Sequence, residues 1–212
     1  MKKIIVKTLV VGELQANAYI VACPEQRVAA VIDPGAAAEQ ILQAVLGDGL
    51  RLTQILLTHG HADHIGGVAA LRRATGATVA VHAADAPLLE DATLNLSLYL
   101  GRGFTAGPPD RRLADGETIA IGALALKVLH TPGHTPGGVC YLGPGMVFTG
   151  DTLFAGSVGR TDFPGGSLKQ LLRSIKERLL TLPDETVVYP GHGLATTIGE
   201  ERLHNPFLSA DF

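Results

Sequence analysis

Between residues 58 and 64 the chain runs Thr58-His59-Gly60-His61-Ala62-Asp63-His64, directly behind the apolar run Ile55-Leu56-Leu57. Three imidazoles and a carboxylate at the end of a strand-like run restrict the fold more than any other feature of this sequence. The neutral imidazole is the commonest protein metal ligand, and polar groups at this density do not belong in a core unless something pairs them. The spacing constrains the backbone as well. His59 and His61 are two residues apart, so they face one ion only from extended or loop backbone. Asp63 and His64 fall where a helix starts and turn toward a second position.

The rest of the chain supplies matching donors. His134, Asp151 and His192 each sit in a glycine-containing turn just after an apolar run: Val128-Leu129-His130-Thr131-Pro132-Gly133-His134, Val147-Phe148-Thr149-Gly150-Asp151 and Val187-Val188-Tyr189-Pro190-Gly191-His192. Donors at strand ends converge on one edge of the sheets. Gly133, Gly150 and Gly191 are expected to let the backbone turn sharply just before a donor, where a Cβ-bearing residue would resist. Seven donors exceed what one tetrahedral zinc uses, so two ions sharing Asp151 is the economical arrangement. His82, His130 and His204 stand outside this pattern and are read as structural, His130 as orienting its turn.

Short β-rich runs occupy Ile4 to Val11, Ala18 to Ala22, Val28 to Ile32, Gln54 to Leu57 and Thr78 to Val81, with helices expected over Ala36 to Leu46 and Asp63 to Ala74. The second half repeats the order: strands at Thr118 to Ile121, Ala125 to Leu129, Gly138 to Leu142, Met146 to Phe148 and Thr186 to Tyr189, with a helix capped by Ser167 and running to Leu180. Ala83 to Gly101 is expected to be helical, and Arg102 to Asp115, rich in Gly, Pro and charge, a mobile surface loop. Strand runs punctuated by helices, twice over, predict a two-sheet sandwich with helices on its outer faces.

Composition excludes several classes. At 212 residues the chain fits one domain, 1–212, and a formal net charge of -3 gives no electrostatic footprint for nucleic acid or an anionic membrane. The N-terminus alternates too early to hold an uninterrupted apolar signal segment, and Cys23 and Cys140 lie in separate apolar runs, as buried free thiols in a reducing compartment do. A cytoplasmic protein is expected. Gly156 to Gly159 is not the GxSxG elbow of serine hydrolases, and neither a P-loop nor a dinucleotide fingerprint is present.

On these residues the chain resembles the metallo-β-lactamase-fold hydrolases, and among them the short bacterial glyoxalase II-like proteins (hydroxyacylglutathione hydrolases). The resemblance covers nearly the whole chain and is carried by HxHxDH at 59–64, HTPGHTPGG at 130–138, FTGDTLF at 148–154, GRTDFPGG at 159–166 and PGHG at 190–193. It implies an α+β fold, a four-layer αββα sandwich. It implies one metal held by His59, His61 and His134, a second by Asp63, His64 and His192, and Asp151 bridging them. Zinc is the first expectation, with iron or manganese as alternatives. The implied activity is hydrolysis of a small-molecule thioester such as S-2-hydroxyacylglutathione (S-lactoylglutathione) by hydroxide generated at the metals, with Asp63 orienting it. Arg160 falls where glyoxalase II has a basic residue that contacts glutathione. Two departures stand out: only Leu194 to Phe212 follow the last motif, where full-length glyoxalase II continues into a C-terminal helical domain, and Leu194 replaces a tyrosine two residues beyond the final histidine. Persulfide dioxygenases share HxHxDH and GRTDF, but hold a single iron, here by His59, His134 and Asp151.

Overall fold

The structure, a computed structural model, describes residues 4–208. One sheet contains β1 (Ile5–Val11), β2 (Ala16–Cys23), β3 (Val28–Ile32), β4 (Arg51–Leu56), β5 (Thr78–His82) and β6 (Arg111–Leu113), paired in that order. The first three strands are antiparallel, and β3 to β6 run parallel because helical crossovers separate them. The second sheet is ordered β14-β13-β10-β9-β8-β7, from β7 (Thr118–Ile121), β8 (Leu124–His130), β9 (Val139–Gly143), β10 (Met146–Gly150), β13 (Val187–Pro190) and β14 (Thr196–Thr197). Between β10 and β13 lie the small hairpin β11 (Leu153–Phe154) and β12 (Ser157–Val158), and the long helical stretch of this half.

Side-chain alternation sorts the core into three seams. Along β2 and β3, Ala18, Ile20, Ala29 and Val31 face an outer helical layer, while Tyr19, Val21, Ala30 and Ile32 face the second sheet. The outer layer is α1 (Ala38–Gly47), which buries Ile41 and Val45 one helical turn apart, and α3 (Val68–Thr75), which buries Val68 and Leu71. Between the sheets, Leu56 and Ala80 meet Ile121, Leu126, Val128, Tyr141 and Phe148. On the far face, Val147 and Val188 pack against Leu171, Leu172 and Ile175 of α4 (Leu168–Ser174) and its π-helical continuation to Leu179, and against Ile198 of α5 (Ile198–His204). Each such fully buried aliphatic side chain contributes about 1.5–3 kcal/mol. The layering is the expected αββα sandwich. No helix among the described residues is long and apolar enough to cross a membrane.

Three expectations are corrected. The helix expected over Asp63 to Ala74 is two pieces, α2 (Ala62–Ile65) and α3, parted at Gly66 and Gly67. A Cβ there would lie 2.3 Å from the Gly35 carbonyl oxygen and 2.7 Å from that of Pro34, so the glycines admit the loop after β3 against the metal-motif helix. Ala83 to Gly101 is not one helix but short 3-10 turns at Ala83–Leu89 and Ser97–Leu100. Pro87 lies inside the first and lacks the N–H that a continuing α-helix needs, the Asp91 carboxylate takes the N–H groups of Thr93 and Leu94 at 2.7 and 3.2 Å, and Leu96 is left-handed at φ 71°. Within Arg102 to Asp115, Asp110 accepts the Val79 N–H (2.8 Å) and pairs with Arg72 (2.5 Å), and the chain then enters β6 as an edge strand.

Candidate metal centre

All seven candidate donors gather at one edge of the sandwich. His59 and His61 lie in the turn after β4, Asp63 and His64 in α2, and His134, Asp151 and His192 follow β8, β10 and β13. Gly133 and Gly150 have positive φ (137° and 49°), and a Cβ on either would strike the Leu171 backbone or the Thr58 side chain. Gly191 serves differently. It needs space rather than a special backbone angle, since a Cβ there would lie 2.1 Å from Asp151 Oδ1.

The donors form two triads, His59, His61 and His134 in one and Asp63, His64 and His192 in the other, with ligand atoms in each within 4.8 Å of one another. In the first, His61 Nδ1 lies 2.9 Å from His134 Nε2, and His59 Nε2 is buried without a partner. In the second, His192 Nε2 is 3.1 Å from Asp63 Oδ2, and His64 Nε2 is buried without a hydrogen-bond partner, 3.6 Å from the same oxygen. Asp151 stands between them. Its Oδ1 is 3.4 Å from His64 Nε2 and itself lacks a hydrogen bond, and its Oδ2 is 3.6 Å from His134 Nε2. A buried polar atom left without a partner costs about 1–3 kcal/mol, so three at one point mark a place for a cation. Asp33, His59 and His64 form a third grouping, but both Asp33 oxygens are occupied by protein donors.

The opposite ring nitrogens fix four of the five imidazoles, those of His59, His64, His134 and His192. His134 Nδ1 donates to the Arg160 carbonyl at 2.6 Å and His192 Nδ1 to that of Leu14 at 3.1 Å. His64 Nδ1 donates to Asp33 Oδ2 at 3.1 Å. The Thr58 hydroxyl also donates to Oδ2 (2.5 Å), which frees its lone pair for His59 Nδ1 at 3.0 Å. Each of these bonds selects the tautomer whose free lone pair faces the centre, the arrangement that metal-ligating histidines require. The turn bearing His192 is clamped from β2, where Asn17 donates to the Pro190 and Gly193 carbonyls at 3.0 and 2.9 Å and Tyr19 to that of Pro190 at 2.6 Å.

Charge is divided unevenly over the cluster. Burial, reinforced by neighbouring imidazoles, drives His59 well below the ordinary histidine value and His61 to about 3. Burial opposes the charged form of His64 too, but the Asp63 and Asp151 carboxylates overcome it and hold that imidazole well above its ordinary value. Burial would also raise Asp63, yet His64 and His192 keep it below the usual carboxylate range. Two carboxylates in a buried site thus demand positive charge, which a divalent cation is suited to supply.

Two buried carboxylates were not among the expected site residues. Asp33, at the end of β3, orients His64 and Thr58 as described. Asp85, in the 3-10 turn that follows β5, accepts the Gly60 N–H (3.1 Å) and the Thr135 hydroxyl (2.8 Å) on Oδ2 and the Gly137 N–H (2.6 Å) on Oδ1. Burial raises its pKa, with the three donors working against that rise. Asp85 therefore ties the turn carrying His59 and His61 to the turn carrying His134. His82 and His130 stack on each other with ring centroids 4.1 Å apart, and His130 donates to the Pro136 carbonyl at 2.9 Å, outside the donor cluster.

Five of the donors, His61, Asp63, His134, Asp151 and His192, floor a cleft of about 720 Å³ walled chiefly by Leu14, Leu96, Tyr99, Leu100, Phe154 and Phe163. Arg160 lines it too. Its guanidinium is bound by both oxygens of Asp162 at 3.0 and 2.7 Å and lies 4.4 Å from the Phe163 ring centre. Leu194 is exposed and is not among the residues lining the cleft.

Comparison with known proteins agrees with this geometry. The metallo-beta-lactamase superfamily matches residues 11–192, a span that takes in all seven donors. The chain is 42% identical to the probable metallo-hydrolase YqgX of Bacillus subtilis, over 94% of this chain and 95% of that protein. It is 38% identical to the hydroxyacylglutathione hydrolase GloC of Haemophilus influenzae, over 88% and 90%. Among solved structures, BLEG-1 B3 metallo-beta-lactamase superposes with a TM-score of 0.93 at 42% identity, over 97% of this chain and 100% of that one. TTHA1623 in a di-iron-bound form gives 0.85 at 44%, over 96% and 100%, and ETHE1 from Myxococcus xanthus 0.79 at 37%, over 95% and 83%. These matches extend over nearly the full chain, so the similarity reaches beyond the short motifs.

Proposed function

This chain belongs to the metallo-beta-lactamase superfamily, and from that premise we propose that it is a dinuclear metal-dependent hydrolase that cleaves thioesters. The observation that carries the two-ion reading is the unpartnered imidazole nitrogen in each triad, His59 Nε2 and His64 Nε2, with Asp151 between them. His59, His61 and His134 would hold one ion, Asp63, His64 and His192 the other, and Asp151 both. The di-iron-bound form of TTHA1623 supports two ions and keeps iron beside zinc as the metal. When bound, divalent ions supply a Lewis acid and water acidified to a pKa of about 7.

The chain's own residues account for the rest. Asp63 lines the cleft floor, where its carboxylate would orient the attacking water by accepting its hydrogen, with Oδ2 3.1 Å from the fellow donor His192 Nε2. The apolar walls offer the acyl group a surface to pack against. Among the described residues, the titratable side chains lining the cleft are five of the donors, Tyr99 and Arg160, and they include no separate carboxylic acid to protonate a leaving group. A thiolate, with a parent pKa of about 8.5, departs without one. An amine does not. That difference supports a thioester over the β-lactam suggested by the similarity to BLEG-1, and the similarity to GloC points the same way. The test is turnover by metal-loaded protein of S-lactoylglutathione and simple acyl thioesters, with a chromogenic β-lactam and oxygen uptake on glutathione persulfide as comparisons. Thioester cleavage well above the other two supports the proposal; oxygen uptake with one iron per chain replaces it with the dioxygenase.

A further inference from the structure

We infer that the cleft selects a thioester whose scissile bond is flanked by an uncharged apolar group, and that glutathione is not what it grips. The inference rests on the thioesterase reading for its chemistry but on the cleft walls for its evidence. Three wall residues from two separate places in the chain remain uncovered: Leu14 between β1 and β2, and Tyr99 and Leu100 in the 3-10 turn Ser97–Leu100, are 51%, 73% and 55% exposed. Large side chains left this open around one polar floor form a receptor for an apolar ligand, unlike the scattered apolar residues of an ordinary surface.

Glutathione makes the opposite demand. It carries two carboxylates and one ammonium, and anchoring it tightly requires cations that are free to pair. Among the described residues lining the cleft, Arg160 is the lone cationic side chain apart from the histidine donors. Asp162 already takes its Nε and Nη2 donors and neutralises its charge, and the two side chains are 66% and 65% exposed. A substrate carboxylate would find the remaining N–H donors, chiefly on Nη1, on a guanidinium that is already paired and open to solvent. Such a contact gains little. Phe163, under the guanidinium, offers its remaining surface to the cleft as another apolar contact.

The binding test uses uncleavable thioethers on metal-loaded protein. S-hexyl-N-acetylcysteamine and S-hexylglutathione share the alkyl chain and differ in the charges of the carrier. Shorter alkyl members of the first series report the apolar contribution. We expect the uncharged ligand to bind at least as tightly as the glutathione one, and affinity to rise about three- to fourfold per methylene over the first few carbons. Tyr99→Asp and Leu100→Asp, both at exposed positions that tolerate the change, should each weaken the hexyl ligand about tenfold and flatten the chain-length dependence. A tenfold or greater preference for S-hexylglutathione, abolished in Arg160→Ala, would overturn the inference, as would affinity independent of chain length. The thioethers report binding without chemistry. A protein that ranks them as expected yet hydrolyses no thioester would retire the proposed reaction and leave the selectivity of the cleft standing.

Discussion

Asp85→Ala tests whether the site is held together from behind. Asp85 is fully buried and serves three donors, two of them backbone N–H groups of Gly60 and Gly137 that cannot rotate away. Gly60 lies between His59 and His61, and Thr135 directly follows His134, so one carboxylate spans the two turns of the first triad. Each stranded buried N–H costs about 1–3 kcal/mol, the Thr135 hydroxyl can turn to another acceptor, and losing the buried charge recovers part of the cost, leaving a destabilisation of roughly 2–4 kcal/mol. Asp85→Asn keeps one acceptor but turns an amide N–H toward a backbone N–H, so it should fall between alanine and wild type. Urea unfolding of metal-free protein gives the stability term. Competition with a chromophoric chelator gives the metal term, where loss of an outer partner costs about 10–100-fold in affinity. An Asp85→Ala protein within 0.5 kcal/mol of wild type, roughly the scatter of ordinary surface substitutions, with unchanged metal affinity, would refute the tie.

The donors, their crowding and the ions each yield a further expectation. Asp63→Ala or His61→Ala should lower thioesterase kcat/KM by about a hundredfold or more, beyond what an outer partner costs, while circular dichroism shows the fold retained; near wild-type turnover at full metal occupancy would place the chemistry elsewhere. Gly191→Ala puts a Cβ 2.1 Å from Asp151 Oδ1 and 2.9 Å from His64 Cε1, an overpacking of about 1–3 kcal/mol. Metal analysis should find the variant depleted, and full metal content with normal activity would contradict the geometry. Stripping the ions with a chelator should lower the thermal midpoint by roughly 5–10 °C, from about 2.7 kcal/mol of linkage at a hundredfold excess over Kd and about 2–4 °C per kcal/mol. A midpoint that does not move after demonstrated metal loss would separate the donors from the fold.

The donors were legible because their chemistry and their place in the chain coincide: a histidine or aspartate directly behind an apolar run has few other reasons to be there. The sandwich was legible from the same alternation, since each strand of β2 and β3 carries two apolar faces, one for each seam. Asp33 has the same signature, in Ile32-Asp33-Pro34-Gly35 at the end of β3, but stands there without a histidine beside it. Asp85 had no such signal. Its three partners are a hydroxyl and two backbone N–H groups from distant turns, and no spacing in the chain records them. Ala83 to Gly101 misled because it is rich in alanine and leucine, the strongest helix formers, whereas Pro87 and the Asp91 side chain settle the backbone locally. β6 was hidden because Arg111-Arg112-Leu113 has one apolar residue, and its pairing follows Asp110 reaching Arg72 and Val79 across the fold.

The central claim is two ions in these two triads, and anomalous diffraction from crystals of protein loaded with a single metal tests it most directly. The account predicts two peaks about 3.5–4 Å apart, one against His59, His61 and His134 and the other against Asp63, His64 and His192, with Asp151 reaching both. A single fully occupied peak held by His59, His134 and Asp151, with Asp63, His64 and His192 turned away from it, would contradict the account.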